Sequence, residues 1–242
     1  LPNWSYKNVL PYFKKLETWS GGENLYRGGK GPLKVNRSKI DERFPLFNSL
    51  IMAAAEAGYE TFEDSNGFKQ DGFGTFDVTI DGGKRQSVAR AYLEEVKNFK
   101  NLIVKHKIDV SKIIFKDKKA IGVEVKNNNK TEIYHCNKEI ILSAGSINSP
   151  KILQLSGVGD PKLLKQNNIE VIHELPGVGQ NLQDHLEIYI QHKSKTKDTL
   201  YNLSTNYFTQ AIEGIKWFLL KQGMLTYSHL ELGGFVKTSE KY

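Results

Sequence analysis

A single cysteine, Cys136, stands among 242 residues. That excludes a disulfide framework within the chain and any metal site built on several thiolates, and it suits a reducing, cytoplasmic setting. No apolar run approaches the roughly 18 residues that a membrane span needs. His106, His135, His173 and His192 fall at no metal-ligand spacing, and no segment repeats. A basic stripe is missing as well. The 34 Lys+Arg outweigh 27 Asp+Glu to give a formal charge of +7, but the lysines occur singly or in pairs such as Lys14-Lys15 and Lys118-Lys119. Solvated surface explains that scatter and a nucleic-acid partner does not. Peripheral attraction to an anionic membrane surface is the weaker alternative, because no basic amphipathic helix accompanies the charge. What is present is an ordinary globular composition, 39% hydrophobic and 25% charged, which excludes wholesale disorder. The opening Leu1-Pro2-Asn3-Trp4 carries no targeting pattern, and the close at Lys237–Tyr242 follows a strand-like stretch. An internal segment of a longer protein is expected.

Periodicity predicts mixed α and β structure with more than one sheet. Helical spacing runs from Trp4 to Leu16 around Pro11, and from Phe44 to Ala57 with Pro45 in the first turn and Gly58 as the stop. It returns over Ser87–Phe99, Ser149–Leu155, Asp160–Gln166 and Gln210–Lys221, with Asp160 as N-cap and Pro161 behind it. Alternation predicts strands at 33–35, 102–104, 110–115, 120–125, 133–136, 139–142, 171–172, 186–192 and 233–236. Turns are expected at Lys116-Asp117-Lys118 and Asn127-Asn128-Asn129, and a loop over 61–84. The glycine-rich stretch from Ser20 to Pro32 has neither Walker spacing nor an apolar strand before it, so turn chemistry accounts for it. Cys136 lies mid-strand and reads as core.

The corner Leu142-Ser143-Ala144-Gly145 carries the most information. An apolar strand is expected to end there in two small residues, and a helix to begin within a few residues. Small residues let a backbone approach another group closely, and a helix start offers free N–H groups and a positive dipole end. Dinucleotides are held in this way at the carboxyl edge of a sheet. A tight strand-to-helix turn also needs small residues, so both readings stand on geometry alone.

The longer string Gly145–Gly159 resembles the second signature of the glucose–methanol–choline flavoenzymes at every constrained position. These are Gly145-Ser146, Ser149-Pro150, the aliphatic pair Ile152-Leu153, and Ser156-Gly157-Val158-Gly159. Other stretches are similar to that family: Trp4-Ser5-Tyr6 with Leu10-Pro11-Tyr12-Phe13, Gly83-Lys84-Arg85-Gln86-Ser87 with Ala91-Tyr92-Leu93, and the run Leu175–His185. Asp184-His185-Leu186-Glu187-Ile188-Tyr189-Ile190-Gln191 and His229-Leu230-Glu231-Leu232-Gly233-Gly234-Phe235 resemble its choline-oxidising members.

The resemblance implies an α/β (mixed α+β) FAD-binding flavoenzyme fold in part, plus an antiparallel-sheet substrate domain. Residues 1–34 would connect into the FAD domain, 35–80 and 186–242 would belong to the substrate domain, and 81–185 to the FAD-binding domain. The implied reaction is oxidation of a primary alcohol, choline in the choline-oxidising members it resembles, to an aldehyde, with an electron acceptor left open. An uncharged aliphatic alcohol, or a non-catalytic homologue of the same fold, are the alternatives. By resemblance Val110 meets the adenine through its backbone, and Ala144 and Gly145 lie beside the ribose, with Ser149 and Pro150 also at the cofactor. Glu187 faces the substrate cation, Tyr207 and Phe208 stand where choline-oxidising members carry two tryptophans, and Asp184 and His185 lie behind them. The family's Gly-x-Gly-x-x-Gly loop and its C-terminal catalytic histidine are not in this stretch. No catalytic residue is therefore assigned here, and the stretch alone is expected to be inactive.

The chemistry of Glu187 fits that role. A trimethylammonium group has no N–H, so charge and aromatic faces are the means of holding it. A carboxylate at ~4 Å contributes about 4 kcal/mol at an effective dielectric of 20, before desolvation is subtracted. An exposed strand glutamate beside Ile188 and Ile190 is the structural alternative, and core packing is the alternative for Tyr207 and Phe208.

Overall fold

Short elements dominate the computed structural model, which describes residues 2–38, 45–127, 130–195, 199, 201, 204–226, 230 and 232–239. In chain order they are α1 (Tyr6–Leu16), β1 (Glu17–Trp19), β2 (Leu33–Arg37), α2 (Pro45–Glu56), β3 (Gly72–Thr75), β4 (Asp77–Val78), β5 (Ile80–Asp81) and β6 (Lys84–Arg85). A π turn at Ala89–Leu93 leads into α3 (Glu94–Val96), followed by β7 (Asp109–Lys116), β8 (Lys119–Asn127), β9 (Lys130–His135), α4 (Gly145–Leu155) and β10 (Val158–Gly159). The last elements are α5 (Pro161–Gln166), β11 (His173–Glu174), α6 (Tyr207–Leu220) and β12 (Leu232–Phe235). The chain forms two compact units, residues 1–102 with 192–242, and residues 103–191. No helix of the described residues is long and apolar enough to cross a membrane.

In the first unit β1 runs parallel to β2, which pairs antiparallel with β4 through Arg37 and Asp77. A second pair joins β3 to β12, with Thr75 opposite Leu232 and Gly72 opposite Phe235. Residues 72–85 therefore hold four short strands where the sequence predicts a loop over 61–84. Two of their ladder partners come from β2 and β12, far away in sequence, and a Gly-x-Gly strand has little β-preference of its own. The glycine-rich loop does resolve into turn chemistry: Asn24 Oδ1 accepts from the backbone N–H of Tyr26 and Arg27 at 2.8 Å. That turn drives Arg27 inward, to 2% exposure. Its guanidinium reaches Glu17 at 2.9 Å, Asp64 at 2.7 Å and Asp77 at 2.6 Å, and stacks 4.5 Å from the Trp19 ring centre. Burial acts to lower the proton affinity of Arg27, but hydrogen bonds to Glu17 and Asp77 and the charges of Glu17 and Asp64 raise it overall.

In α6, Asn206 caps the N-terminus by accepting from Phe208 and Thr209 at 2.9 and 3.3 Å. The helix starts at Tyr207, three residues before the expected Gln210. Its inner face is tied by buried Glu213, which accepts from the Met224 backbone at 2.7 Å, and by Trp217 Nε1, which donates to the Gly83 carbonyl at 2.7 Å.

The second unit is built on the antiparallel meander β7-β8-β9. Asp117 and Lys118 both have positive φ, 51° and 62°, the signature of a two-residue type I′ turn whose twist matches that of its strands. Ile113, Val125, Ile152, Val158, Leu164 and Val178 form the buried apolar core. Asp160 caps α5 by accepting from Lys162 at 2.8 Å, with Pro161 behind it. α4 begins at Gly145, one turn before the expected Ser149, and carries Pro150 inside. The expected strand at 171–172 is displaced to His173–Glu174, which pairs parallel with Val158–Gly159.

The strands expected at 102–104, 139–142 and 186–192 are absent. Their sequences have strand character, but a strand needs a neighbour to complete its hydrogen bonds, and among the described residues none lies alongside. Ile141 is accordingly 81% exposed. The expected turn at Asn128-Asn129, the helix start at Phe44, and His229 and Glu231 lie outside the described residues.

Candidate cofactor and substrate site

The Ala144–Gly145 corner is shaped by backbone conformation first. Gly145 has φ +88°, which a side chain rarely adopts, and a Cβ built there would meet nothing within 4 Å. The corner therefore presents bare backbone to open space. Ser149 Oγ accepts from the Ala144 N–H at 2.9 Å and locks the approach to α4. This directs the Ser149 hydroxyl toward the chain's own backbone. Ala144, the N-cap residue, supplies no side-chain cap, leaving first-turn N–H groups of α4 directed into the same space.

Two clefts flank α4. One, of about 730 Å³, is lined by Val110, Lys112, Lys126, Ala144, Asn148 and Lys151 among others. Val110 and Ala144, 34 positions apart, thus share one cavity. The other, of about 570 Å³, lies between Ser146, Pro150 and Lys151 on the helix and Gly179–Gln183. Asp109 and Glu124 share the first cleft with its lysines, and Lys112 pairs with Glu124 at 3.6 Å. Open backbone and a helix start are therefore what suit the ribose and anionic part of a dinucleotide, and on that ground the residues present fit FAD.

Behind these clefts sits a clasp that motif reading missed. Buried Ser156 accepts from the Ile113 N–H at 2.7 Å and donates to the Ile152 carbonyl at 2.5 Å, fastening the end of α4 to β7. Gln154 donates to the Val178 carbonyl at 3.2 Å, holding the Pro176–Gly179 turn against the helix. The signal was in the string itself: the Ser-Gly-aliphatic-Gly half of the signature is structural.

The predicted substrate residues occupy exposed positions. Asp184 Oδ1 accepts from the His185 N–H at 2.8 Å, and His185 is exposed. Glu187 is exposed in the irregular run that follows, where Tyr189 donates its hydroxyl to Glu187 Oε2. That bond raises the phenol's pKa above the usual tyrosine value. Tyr207 and Phe208 expose their rings on the first turn of α6. They belong to the first unit and Glu187 to the second.

A sequence profile of the family described as GMC oxidoreductase matches residues 1–187. An oxygen-dependent choline dehydrogenase of Escherichia coli is 43% identical over all of this chain and 44% of its own length. One from Photobacterium profundum is 41% identical over 97% of this chain and 41% of its own. The chain thus spans less than half the length of these curated relatives. Among solved structures, an FAD-dependent oxidoreductase from Chaetomium thermophilum is similar at a TM-score of 0.81 and 33% identity, over 93% of this chain and 41% of that one. A formate oxidase structure shares the fold at a TM-score of 0.84 and 24% identity, over 99% of this chain and 44% of that one. Both the profile match and the 41–43% identity place this chain in the GMC oxidoreductase family.

Proposed function

We propose that the whole protein is an FAD-dependent dehydrogenase of a primary alcohol, and that the alcohol is choline, giving betaine aldehyde. The observation that carries the flavin assignment is the cleft shared by Val110 and the Ala144 corner beside α4. Residues 81–185 are assigned to the cofactor domain with 1–34 as its connecting segment, and 35–80 and 186–242 to the substrate domain. When bound, FAD supplies the redox chemistry by taking hydride from the alcohol carbon. By the family resemblance the alcohol's hydroxyl proton is assigned to a histidine outside residues 1–242, and the electrons gained by bound FAD would pass on to an acceptor.

This chain's own contribution is position and charge. Gly145 and the α4 start receive the cofactor's polar part, while Ser149 and Pro150 fix the helix that presents it. Glu187 supplies the anion for a permanent cation, and Tyr207 and Phe208 supply π-faces, weaker ones than tryptophan offers. Support for choline rather than a neutral alcohol comes from Glu187 and from the names of the relatives.

The test uses the full-length enzyme. Glu187→Gln keeps shape and removes charge, whereas Glu187→Asp keeps charge and withdraws it by one methylene. Gln is expected to raise the KM for choline between about 30-fold and 1000-fold, the effect of losing a desolvated charge contact, and Asp much less. The uncharged isostere 3,3-dimethyl-1-butanol is expected to lose far less. Equal losses for both alcohols would overturn choline and leave an alcohol dehydrogenase of neutral substrates.

A further inference from the structure

We propose that Tyr189 is a positioning residue for Glu187, and thereby a determinant of specificity for cationic alcohols. The inference rests on the assignment of Glu187 to the substrate cation. It starts from a problem of geometry. A carboxylate that binds an ammonium with N–H groups is oriented by its ligand through directional hydrogen bonds. A quaternary ammonium offers none. Its attraction is radial, so the ligand leaves the carboxylate free to turn, and the orientation must come from the protein.

The run Leu186–Gln191 holds no helix or strand, so the placing of its side chains rests on their own contacts. Tyr189 is two residues from Glu187, and its hydroxyl donates to Oε2. One oxygen is thereby tethered, which restricts the turning of the group and leaves Oε1 to face a cation. A phenol suits this work. It reaches across two residues on a rigid ring with few rotatable bonds, and it adds no charge that would compete with the substrate's. The neighbours Leu186, Ile188 and Ile190 are apolar and exposed, so among the described side chains of this run the phenol is the recorded donor to the acid. The raised pKa of Tyr189 reflects the same bond, and the phenol stays protonated, as a donor must, through neutral pH.

The contact also gives the Asp184–Gln191 run a division of labour. Asp184 turns back onto the His185 N–H and fixes the backbone where the run begins. Tyr189 then orients Glu187, the acid assigned to the substrate cation. Neither contacts the reacting carbon in this scheme, so neither is a catalytic residue.

The experiment compares four forms of the full-length flavoenzyme: parent, Tyr189→Phe, Glu187→Gln and the double variant. Tyr189→Phe removes only the hydroxyl of an exposed residue. It is expected to raise the KM for choline by about 3- to 10-fold, the usual effect of one hydrogen bond, with kcat and flavin content unchanged. The KM for 3,3-dimethyl-1-butanol is expected to stay within about 2-fold, well below the effect of one hydrogen bond. In the Glu187→Gln background the same substitution should cost little more, because the two act as one unit. If Glu187→Gln separates the two alcohols but Tyr189→Phe leaves choline's KM unchanged, the inference is overturned and the cation assignment stands. Additive effects in the double variant also overturn it. If Glu187→Gln affects both alcohols equally, the cation assignment itself fails, and the positioning role falls with it. Should Tyr189→Phe lower flavin content, Tyr189→Gln, which keeps a donor, decides the matter. Restored selectivity for choline supports positioning, and equal loss for both alcohols refutes it.

Discussion

Arg27 Nη1 and Asp77 Oδ2 lie 2.6 Å apart, joining segments 50 positions distant in sequence, with side chains only 3% and 4% exposed. A buried charge stripped of its partner is costly, so Asp77→Ala is expected to destabilise the protein by about 3 kcal/mol. Arg27→Lys should also destabilise, since one ammonium cannot reproduce a planar fork shared among Glu17, Asp64 and Asp77. Arg37, with a side chain 31% exposed, is expected to cost less when truncated. Urea unfolding measures all three; a midpoint for Asp77→Ala equal to the parent's would refute the keystone role.

Two glycines of the motif region should behave oppositely. Gly157 has φ +81°, and an added Cβ would lie 2.4 Å from the Glu170 carbonyl oxygen. Gly157→Ala is expected to cost about 2 kcal/mol or more. Around Gly177 there is open space and its φ is not positive, so Gly177→Ala should stay within about 0.5 kcal/mol of the parent. Thermal denaturation of the two variants side by side decides it.

Gly145 is expected to tolerate no branched side chain in the full-length enzyme. Its positive φ strains any substitution, and a Cβ would project into the open space beside the corner. Gly145→Val should purify with little or no visible flavin absorbance. Normal occupancy would mean that the glycine serves the turn alone.

The Tyr189–Glu187 bond predicts a titration. The hydrogen bond favours the protonated phenol, so the folded pKa lies above the unfolded value of about 10. The stabilisation is therefore fully present below that unfolded value and is lost as pH rises through the raised one. The ring carbon bearing the hydroxyl, followed by NMR, should titrate late in the parent and return toward the ordinary range in Glu187→Gln. An unchanged titration would show that the contact does not persist in solution.

How much of this was legible in the sequence depends on the range of the forces involved. Local chemistry read well: the Asp160 cap, the turn at Asp117-Lys118 and the meander strands are set by neighbouring residues. Partnership did not read. The ladders of β3 and β4 are completed by Leu232–Phe235 and Asn36–Arg37, and the apolar run at 139–142 has strand character without a described neighbour. Within the site, the Gly145 corner was visible as two small residues just ahead of a helix, although the strand expected before them is absent. Ser156 was visible only as a letter of a motif. Its work depends on the Ile113 N–H, 43 positions away. The burial of Arg27 was invisible, because nothing in a glycine-rich loop announces that three acids from separate segments will converge on it.

The pairing of Leu232 with Thr75 sets an order of events during biosynthesis. Residues 103–191 form a contiguous unit, whose hairpins can close in microseconds once they leave the ribosome, on the order of 1–10 μs each. The strand that covers β3 has then yet to be translated, and at about 5–20 residues per second its arrival takes on the order of seconds. Through that interval β3 is an open edge, and Phe76, which will later lie 5.9 Å from Phe235, has no cover from that ring. The earlier-made half of the first unit thus waits, half finished, for its last strand. In that window, rather than in the finished fold, the β3 edge is open to pairing with another chain.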